Sequence, residues 1–300
     1  MAFLDSLLRF LSDQKINGTD ASETLFGGFG NDHIDAGGGD DKVFGLLGND
    51  TINGGSGDDL ISGGFGNDAL IGNTGNDKMF GGFGNDLLVW NNGDGSDLMN
   101  GGEGDDTVQV NFQQSSDLSN TDLQNDDVAT IADDGEGGIT FNRVEVNGQS
   151  VNGLFQLDIE ETETLDVNFG GGTDTARVID DAAANIKLDL DGGDGVDTID
   201  LSDVNAGNGG VDFDLESGEF AEINGAASDD KAANFENVIG TDGADTINGN
   251  ALANDIQGGA ANDTMKGGEG DDTLVGNTGN DEVFGEEGDD LLVWNNGDGS

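Results

Sequence analysis

Apolar side chains recur at a fixed interval along the first third of the chain. Seven consecutive units of nine residues run without a gap from Gly27 to Val89, and the eighth position of each unit is apolar. These positions hold Ile34, Val43, Ile52, Ile61, Leu70, Met79 and Leu88. One inward apolar residue per unit, with its neighbours pointing outward, predicts a very short β-strand in every nine residues.

Glycine and aspartate occupy two further fixed positions of the unit. Position four is glycine in all seven units, which permits turn conformations that a side chain would forbid. Position six is aspartate, at Asp32, Asp41, Asp50, Asp59, Asp68, Asp77 and Asp86. Nine residues therefore make one turn and one strand, and two units make a coil with a strand on each side. Each aspartate then lies directly above the one eighteen residues further along.

The nine-residue unit returns in other parts of the chain. An eleven-residue unit with Asp97 and a regular unit with Asp106 follow the first block. Six units from Gly240 to Val293 have Asp245, Asn254, Asp263, Asp272, Asp281 and Asp290 at position six. A lone unit at Gly192 places Asp197 there. We predict a first repeat block over 16–110, a β-rich segment with degenerate repeats over 111–233 and a second block over 234–300.

The charge of the chain points to a cation as its partner. Asp and Glu number 63 against 9 Lys and Arg, and the formal net charge is −54. Such a chain is a poor ligand for nucleic acid or for an anionic membrane surface, and no apolar run is long enough for a transmembrane segment. Stacked carboxylates repel one another, so a cation is expected between the layers. The chain has no Cys, and a set of oxygen ligands favours calcium over zinc.

The repeated unit, GGxGxDxUx, resembles the RTX, or hemolysin-type, calcium-binding repeat. The resemblance covers 18–110 and 234–300 well and 191–233 weakly. It implies an all-β fold, a parallel β-roll in which Ca²⁺ ions lie between turns. The ions would be held by the position-six aspartates of repeats n and n+2 and by backbone carbonyl oxygens. The resemblance also implies an extracellular or cell-surface protein of the kind secreted by the bacterial type I route, without an N-terminal Sec signal.

Carried onto this sequence, the resemblance implies particular ligands. One site would use Asp32 and Asp50 with the carbonyl oxygens of Gly28, Gly30, Gly45 and Leu47. Further pairs would be Asp41–Asp59, Asp50–Asp68, Asp59–Asp77, Asp68–Asp86, Asp245–Asp263, Asp263–Asp281 and Asp272–Asp290. Asp97, Asp106 and Asp197 are candidate ligands too, whereas Asn254 brings no charge to its pair with Asp272. We expect about eight Ca²⁺ ions, with binding coupled to folding because the core is thin.

The first fifteen residues have a different pattern. Phe3, Leu4, Leu7, Leu8 and Leu11 follow helical spacing. They predict a short amphipathic helix over 1–15, which we interpret as a cap on the first coil of the stack; a membrane-surface helix is the alternative. Asp5, Arg9 and Asp13 interrupt the apolar run, so a Sec signal is not expected.

A segment of 25 residues occurs twice, at 72–96 and 276–300, with 20 identical positions. The second copy stops at Ser300 in the middle of a unit, and we therefore expect the chain to be part of a longer tandem protein. Trp90 and Trp294 occupy the same place in the two copies. We interpret each as a ring that closes the side of an interrupted coil; a sugar-binding or partner-binding platform is the alternative.

Residues 111–233 lose the nine-residue period but keep the alternation of apolar and polar residues that predicts β-strands. Strands are expected in 139–146, 155–159, 164–169, 186–190 and 211–215. We interpret them as extra strands that continue the stack, with a hairpin over 128–146; a separate β-sandwich is the alternative.

No motif in the sequence indicates an enzyme. The lone histidine, His33, excludes an HExxH zinc site, and GxSxG is absent. The leading hypothesis is a non-enzymatic, calcium-dependent structural protein of a surface layer, adhesin or matrix, which self-associates or binds a cell-surface partner. The second is the secretion and folding module of a larger toxin or hydrolase. The third is a glycan-acting enzyme within 111–233 that uses Glu160, Glu161 and Glu163.

Overall fold

The computed structural model describes residues 11–112, 127–134, 138–146, 149–150, 156–179, 186–204, 210–222 and 230–294. Within these ranges the chain forms 31 β-strands and no helix, so none of its described segments is a helix that could span a membrane. The backbone divides into two compact units. Unit 1 contains 1–114, 134–142 and 153–166, and unit 2 contains 115–133, 143–152 and 167–300.

The strands are short throughout, as one strand per nine residues requires. The first eleven are β1 (Lys15–Thr19), β2 (Thr24–Gly28), β3 (His33–Gly37), β4 (Lys42–Leu47), β5 (Thr51–Ser56), β6 (Leu60–Phe65), β7 (Ala69–Thr74), β8 (Lys78–Phe83), β9 (Leu87–Asn91), β10 (Leu98–Glu103) and β11 (Thr107–Asn111). The next ten are β12 (Asp127–Asp133), β13 (Ile139–Val146), β14 (Gln149–Ser150), β15 (Gln156–Glu160), β16 (Thr164–Asn168), β17 (Gly171–Gly172), β18 (Thr175–Ile179), β19 (Lys187–Asp191), β20 (Asp194–Gly195) and β21 (Thr198–Asp203). The last ten are β22 (Val211–Asp214), β23 (Glu219–Glu222), β24 (Lys231–Ala233), β25 (Asn237–Ile239), β26 (Thr246–Asn248), β27 (Asp255–Ala260), β28 (Thr264–Glu269), β29 (Thr273–Thr278), β30 (Glu282–Glu287) and β31 (Leu291–Val293).

Unit 1 is a parallel β-roll, which confirms the predicted fold class. Consecutive strands alternate between two sheets, in the orders β1-β3-β5-β7-β9-β11 and β2-β4-β6-β8-β10. The register places Ile34 beside Ile52 in one sheet and Val43 beside Ile61 in the other, eighteen residues apart in each case. After β10, the second sheet continues with β15, which pairs in parallel, and then β13, which pairs antiparallel.

Unit 2 has the same plan with one interruption. One sheet, β12-β18-β21-β25-β27-β29-β31, is parallel throughout. The other follows the order β19-β24-β23-β22-β26-β28-β30, and its pairings on both sides of β23 are antiparallel. The predicted strands at 186–190 and 211–215 correspond to β19 and β22.

The core of each roll is a narrow column of inward side chains. In unit 1, the eighth-position residues from Ile34 to Leu88 are fully buried, and so are their counterparts Ile256 and Leu274 in unit 2. The described part of the predicted N-terminal helix is small, because residues 1–10 lie outside the described residues. Residues 11–14 are not helical, and Lys15 begins β1.

Candidate metal centre

The position-six carboxylates are buried inside the rolls. Side chains alternate along a strand, and position six lies two residues before the inward apolar position, so the aspartate points in the same direction. The predicted position-six aspartates that are at most 3% exposed are Asp32, Asp41, Asp50, Asp59, Asp68, Asp77, Asp86, Asp97, Asp106, Asp197, Asp245, Asp263 and Asp272. Burial of so many acids in a narrow core requires partners for their charges.

One oxygen of each carboxylate binds the backbone of the preceding coil. The N–H of Asp32 donates to Oδ1 of Asp50 at 2.7 Å, and the N–H of Asp50 donates to Oδ1 of Asp68 at 2.7 Å. The same bond joins Asp41 to Asp59, Asp59 to Asp77, Asp68 to Asp86, Asp77 to Asp97 and Asp86 to Asp106. In unit 2 it joins Asp245 to Asp263, Asp263 to Asp281, Asn254 to Asp272 and Asp272 to Asp290. The structure thus brings together every pair that the sequence predicted, in two aspartate ladders along each repeat block.

In most of these aspartates the other carboxylate oxygen is buried and accepts no hydrogen bond within the described part of the chain, whereas Oδ2 of Asp245 accepts the N–H of Thr241 at 2.7 Å. The oxygens that accept none are Oδ2 of Asp32, Asp41, Asp50, Asp59, Asp68, Asp77, Asp86, Asp97, Asp106, Asp263, Asp272 and Asp281. A buried anionic oxygen without a donor is strongly unfavourable, so each such atom requires a proton or a cation.

The first glycine of the unit leaves open the space beside this oxygen. A methyl group on Gly45 would lie 2.3 Å from Oδ2 of Asp50 and 2.6 Å from the carbonyl oxygen of Gly63. On Gly27 it would lie 2.5 Å from both Oδ2 of Asp32 and the carbonyl oxygen of Gly45. A carboxylate oxygen and a carbonyl oxygen of the next coil thus converge where any side chain would clash, an oxygen donor set that suits calcium.

The four predicted carbonyl ligands lie at or near the C-terminal ends of two neighbouring strands, β2 and β4. Gly45 is within β4, and its carbonyl oxygen faces the Asp32 carboxylate as just described. Gly30 lies in the turn after β2, and its carbonyl oxygen would be 2.1 Å from a Cβ on Gly48 in the next coil. Gly28 ends β2 and Leu47 ends β4.

Burial raises the pKa of the ladder aspartates. It does so most for Asp68, Asp77, Asp97 and Asp263, whose pKa values rise to about 7, and it raises those of Asp50, Asp59 and Asp86 to about 6. The hydrogen bond from the preceding coil lowers the pKa of Asp68, but by less than burial raises it, and the neighbouring Asp50 and Asp86 carboxylates raise it further. A divalent cation beside Oδ2 would act against both causes.

Asn254 shows what an amide does at position six. Its N–H donates to Oδ1 of Asp272 at 2.9 Å, as an aspartate would do. Its side-chain Nδ2 donates to the carbonyl oxygen of Glu236 at 2.8 Å. The asparagine therefore fits the ladder. Its amide N–H is satisfied by a backbone carbonyl oxygen, and its side chain adds no negative charge.

The ladders also include acids that the sequence analysis missed. The N–H of Asp174 donates to Oδ1 of Asp197 at 2.7 Å, and that of Asp197 donates to Oε2 of Glu236 at 2.8 Å. The N–H of Asp106 donates to Oε2 of Glu163 at 2.7 Å. Asp230, which is buried, accepts the N–H of Leu188 at 2.7 Å.

A signal for these acids is present in the sequence. Glu163 and Glu236 lie two residues before the buried Leu165 and Val238, the spacing of positions six and eight. Asp174 follows Gly170 and Gly172 at the spacing of positions two and four. Glu163 and Glu236 replace the aspartate of the motif by glutamate, and the unit of Asp174 begins with Phe169 in place of glycine, so these acids depart from the GGxGxDxUx pattern.

The described residues contain no cluster of three or more His, Asp or Glu side chains with metal-binding geometry. The geometry given above for Asp32 and Asp50 places one carboxylate oxygen beside a backbone carbonyl oxygen of the next coil instead. His33 is exposed at the start of β3, away from this interior.

A family of calcium-binding repeats matches both repeat blocks, in agreement with this geometry. The sequence model of one family, the RTX calcium-binding nonapeptide repeat, matches residues 17–52, 53–88, 92–109, 239–274, 257–292 and 266–299, which together span half of the chain. No curated protein matches the chain. Among solved structures, the solution structure of the AlgE6R3 subunit of the mannuronan C5-epimerase from Azotobacter vinelandii matches with 21% identity and a TM-score of 0.21, covering 50% of this chain and 71% of that chain. The family match spans both repeat blocks, and the chain belongs to the family of RTX calcium-binding nonapeptide repeats.

Proposed function

We propose that the chain is an extracellular, non-enzymatic structural protein, an element of a surface layer, adhesin or matrix, whose fold depends on calcium. The observation that carries this proposal is the row of buried Oδ2 atoms without hydrogen-bond donors along the ladders. Most of these atoms lie beside a position-one glycine whose missing side chain leaves space for an ion, as Oδ2 of Asp50 does beside Gly45. The units of Asp41 and Asp97 begin with Ala36 and Trp90 instead. In a calcium-binding repeat, the bound Ca²⁺ is the cation that the buried Oδ2 atoms require.

The proposed ligands are the ladder aspartates and the carbonyl oxygens of the turns. Oδ1 of each aspartate is already used by the N–H of the preceding coil, which holds the carboxylate in place. Oδ2 is then directed to the space beside the position-one glycine, as with Asp50 and Gly45. We keep the expectation of about eight ions, because each ion would be shared by two coils.

Binding is proposed to drive folding. The net charge of −54 opposes compaction, and each coil has only two eighth-position residues to bury. A bound divalent ion neutralises two carboxylates at once, and its binding free energy is available only to the folded roll. At the low calcium concentration of a cytosol the chain would stay unfolded, and it would fold at the millimolar concentrations outside a cell.

The ladder position of Glu163 supports a structural role for it. Its Oε2 accepts the N–H of Asp106 at 2.7 Å, in the manner of the position-six aspartates. Glu160 accepts a hydrogen bond from Asn100 Nδ2 at 3.3 Å. These bonds tie two acids of the glycan-enzyme hypothesis to strands of the roll, and we therefore propose a scaffold.

A calcium titration tests the proposal. The purified chain, freed of metal by a chelator, is titrated with Ca²⁺ while far-ultraviolet circular dichroism is recorded, and Mg²⁺ is the control. We expect a cooperative gain of β signal with Ca²⁺, since Mg²⁺ gives up its water shell reluctantly. Full β structure in chelator, unchanged by Ca²⁺, would contradict the proposed coupling. Surface labelling of intact producing cells tests the location separately, and labelling only after lysis would exclude it.

A further inference from the structure

One sheet of unit 1 has an aromatic outer surface. Strands β2, β4, β6 and β8 contain no Asp or Glu, in a chain where acids outnumber bases by 63 to 9. Two of those bases, Lys42 and Lys78, lie on this sheet and are exposed. We call its outward surface the phenylalanine face, which comprises Phe26, Phe29, Phe44, Phe65, Phe80 and Phe83.

The rings form two rows that run across the strands. The register places Phe26 beside Phe44 and Phe65 beside Phe83. The first pair stacks with ring centroids 5.3 Å apart, and the second with centroids 4.7 Å apart and planes within 4°. One row follows position nine of the unit and the other follows position three of the next unit. Glycines at position two, such as Gly64 and Gly82, lie between the rows and carry no side chain, and we call this line of glycines the glycine groove.

This aromatic surface is not needed to build the roll. The opposite sheet of the same unit has the same coil and register, and its outward positions include Asn53, Ser56 and Thr74. The rings are nevertheless exposed, with Phe26 and Phe65 both at 54%. A row of half-exposed aromatic side chains in a strongly acidic protein marks an interaction surface rather than a folding requirement.

We propose that the phenylalanine face binds the same face of a second copy of this chain. The face repeats at the spacing of the strands, and another roll of the same coil length repeats at the same spacing. A row of rings on one copy can therefore lie in the glycine groove of the other through successive coils, as the side chains of paired sheets interdigitate. The contact is isologous, since each copy offers the same surface.

Charge favours this face for the contact. Exposed acids such as Asp40 and Asp58 lie in the turns, where two copies of a chain with net charge −54 would repel each other. On the phenylalanine face the strands carry no acid, and Lys42 and Lys78 reduce the local negative potential. Two copies can thus approach here without opposing carboxylates.

The available area indicates a weak, reversible dimer. A phenylalanine buries at most roughly 150–250 Å², so four half-exposed rings offer roughly 300–500 Å² on each copy. That value is near the lower limit for specific interfaces, and we expect dissociation constants on the order of micromolar.

The inference adds a partner to the structural role proposed above and rests on it only in that the roll must be folded. Folding is measured by circular dichroism and association by sedimentation, so failure of one is distinguishable from failure of the other. Sedimentation velocity of the full chain in saturating calcium, from about 1 to 200 μM, should show a monomer converting to a dimer.

The test variant is the double substitution Phe65→Thr with Phe83→Glu. Both replacements occur at the corresponding position elsewhere in the chain, as Thr74 and as Glu287. We expect the double variant to stay monomeric, with a dissociation constant raised at least tenfold, and to keep the calcium-induced circular dichroism of the natural chain. The matched control is Phe284→Ser. Phe284 is the counterpart of Phe80 in the repeated segment 276–300, lies outside the phenylalanine face and is 47% exposed. The control variant should dimerise as the natural chain does.

A second variant keeps the test valid if the first fails to fold. Ser62→Lys adds a charge within the first row without removing a ring, and Lys266 already occupies position nine in the second block. It should also be monomeric. A natural chain that remains monomeric at all concentrations, or variants that dimerise as it does, would overturn the proposal. Binding of a monomeric natural chain to phosphatidylcholine vesicles would overturn it as well, because the face would then serve a lipid surface.

Discussion

The two 25-residue copies at 72–96 and 276–300 have nearly the same sequence but different surroundings. Trp90 is fully buried in unit 1, whereas Trp294 in unit 2 is 61% exposed. Trp90 packs edge-on against Phe112 with ring centroids 6.0 Å apart, and its Nε1 donates to the carbonyl oxygen of Gly95 at 2.9 Å. Leu88 is likewise buried, and its counterpart Leu292 is 40% exposed.

The described strands beside the two copies differ. β9 lies between β7 and β11, so both of its edges and its inward side chains are covered. Among the described strands, β31 pairs only with β29. A repeat therefore specifies which side chain points inward, but the next coil decides whether that side chain is buried. This applies to the ladder as well, since Asp68 has a partner in the coil before it and in the coil after it.

The largest expected effect is that of pH on the stability of the fold in the absence of calcium. Burial raises the pKa of Asp68, Asp77 and Asp97 to about 7 from an ordinary value near 3.8. A raised folded-state pKa contributes stability that is fully present below the unfolded value and is lost as pH rises through the folded value. Lowering the pH from 8 to 5 in chelator should therefore stabilise the fold, by about 1–2 kcal/mol for each such aspartate after allowance for solvent screening.

Hydrogen exchange measured by mass spectrometry locates this effect. Peptides of the first block should gain more protection at pH 5 than peptides of the second, after correction for the intrinsic exchange rate, because more of the strongly shifted aspartates lie in the first. In calcium the direction should reverse, since protons compete with the metal for the carboxylates. Loss of protection on acidification in chelator would show that the ladder carboxylates are not the groups that oppose folding.

The next effect separates the two tryptophans. Trp90→Ala in saturating calcium should lower the free energy of unfolding by about 3–5 kcal/mol, because it opens a cavity beside Phe112. In the 300-residue chain, Trp294→Ala should lower it by less than about 1 kcal/mol, as expected for a side chain that is 61% exposed. Denaturant unfolding followed by circular dichroism measures both. Equal losses would mean that the two copies have equivalent surroundings.

The smallest effect compares inner and outer ladder positions. Asp68→Asn should raise the calcium midpoint about tenfold, equivalent to about 1.4 kcal/mol, because the amide fits as Asn254 does but removes charge between two coils. Asp290 has one ladder partner among the described residues, Asp272, and Asp290→Asn should raise the midpoint less. The control is Asp58→Asn, which removes an exposed charge at position five and leaves the ladder intact. If the calcium midpoint of Asp68→Asn equals that of the control, Asp68 is not a calcium ligand.

Much of the ladder could be predicted from the sequence. The nine-residue period and the two-residue step from Asp32 to Ile34 are sufficient to place the acids inside the coil and to pair them at a separation of eighteen. The acids at Asp174, Glu163 and Glu236 were missed because their units lack a leading glycine or use glutamate. The physical requirement is broader than the motif, since any carboxylate two residues before an inward apolar side chain can accept the N–H of the preceding coil.

The sequence by itself determined the strand period, the inward face, the turns and the aspartate pairs, because all four depend on interactions within one coil or between identical coils. The tertiary structure decided which coils are neighbours when the period is broken. The ladder continues from Asp77 to Asp97 over 20 residues, from Asp174 to Asp197 over 23 and from Asp106 to Glu163 over 57. The entropy of closing a loop grows slowly with its length, so insertions of very different size are compatible with one register. That register is set by the hydrogen bonds and the core of the stacked coils, and no local pattern encodes it.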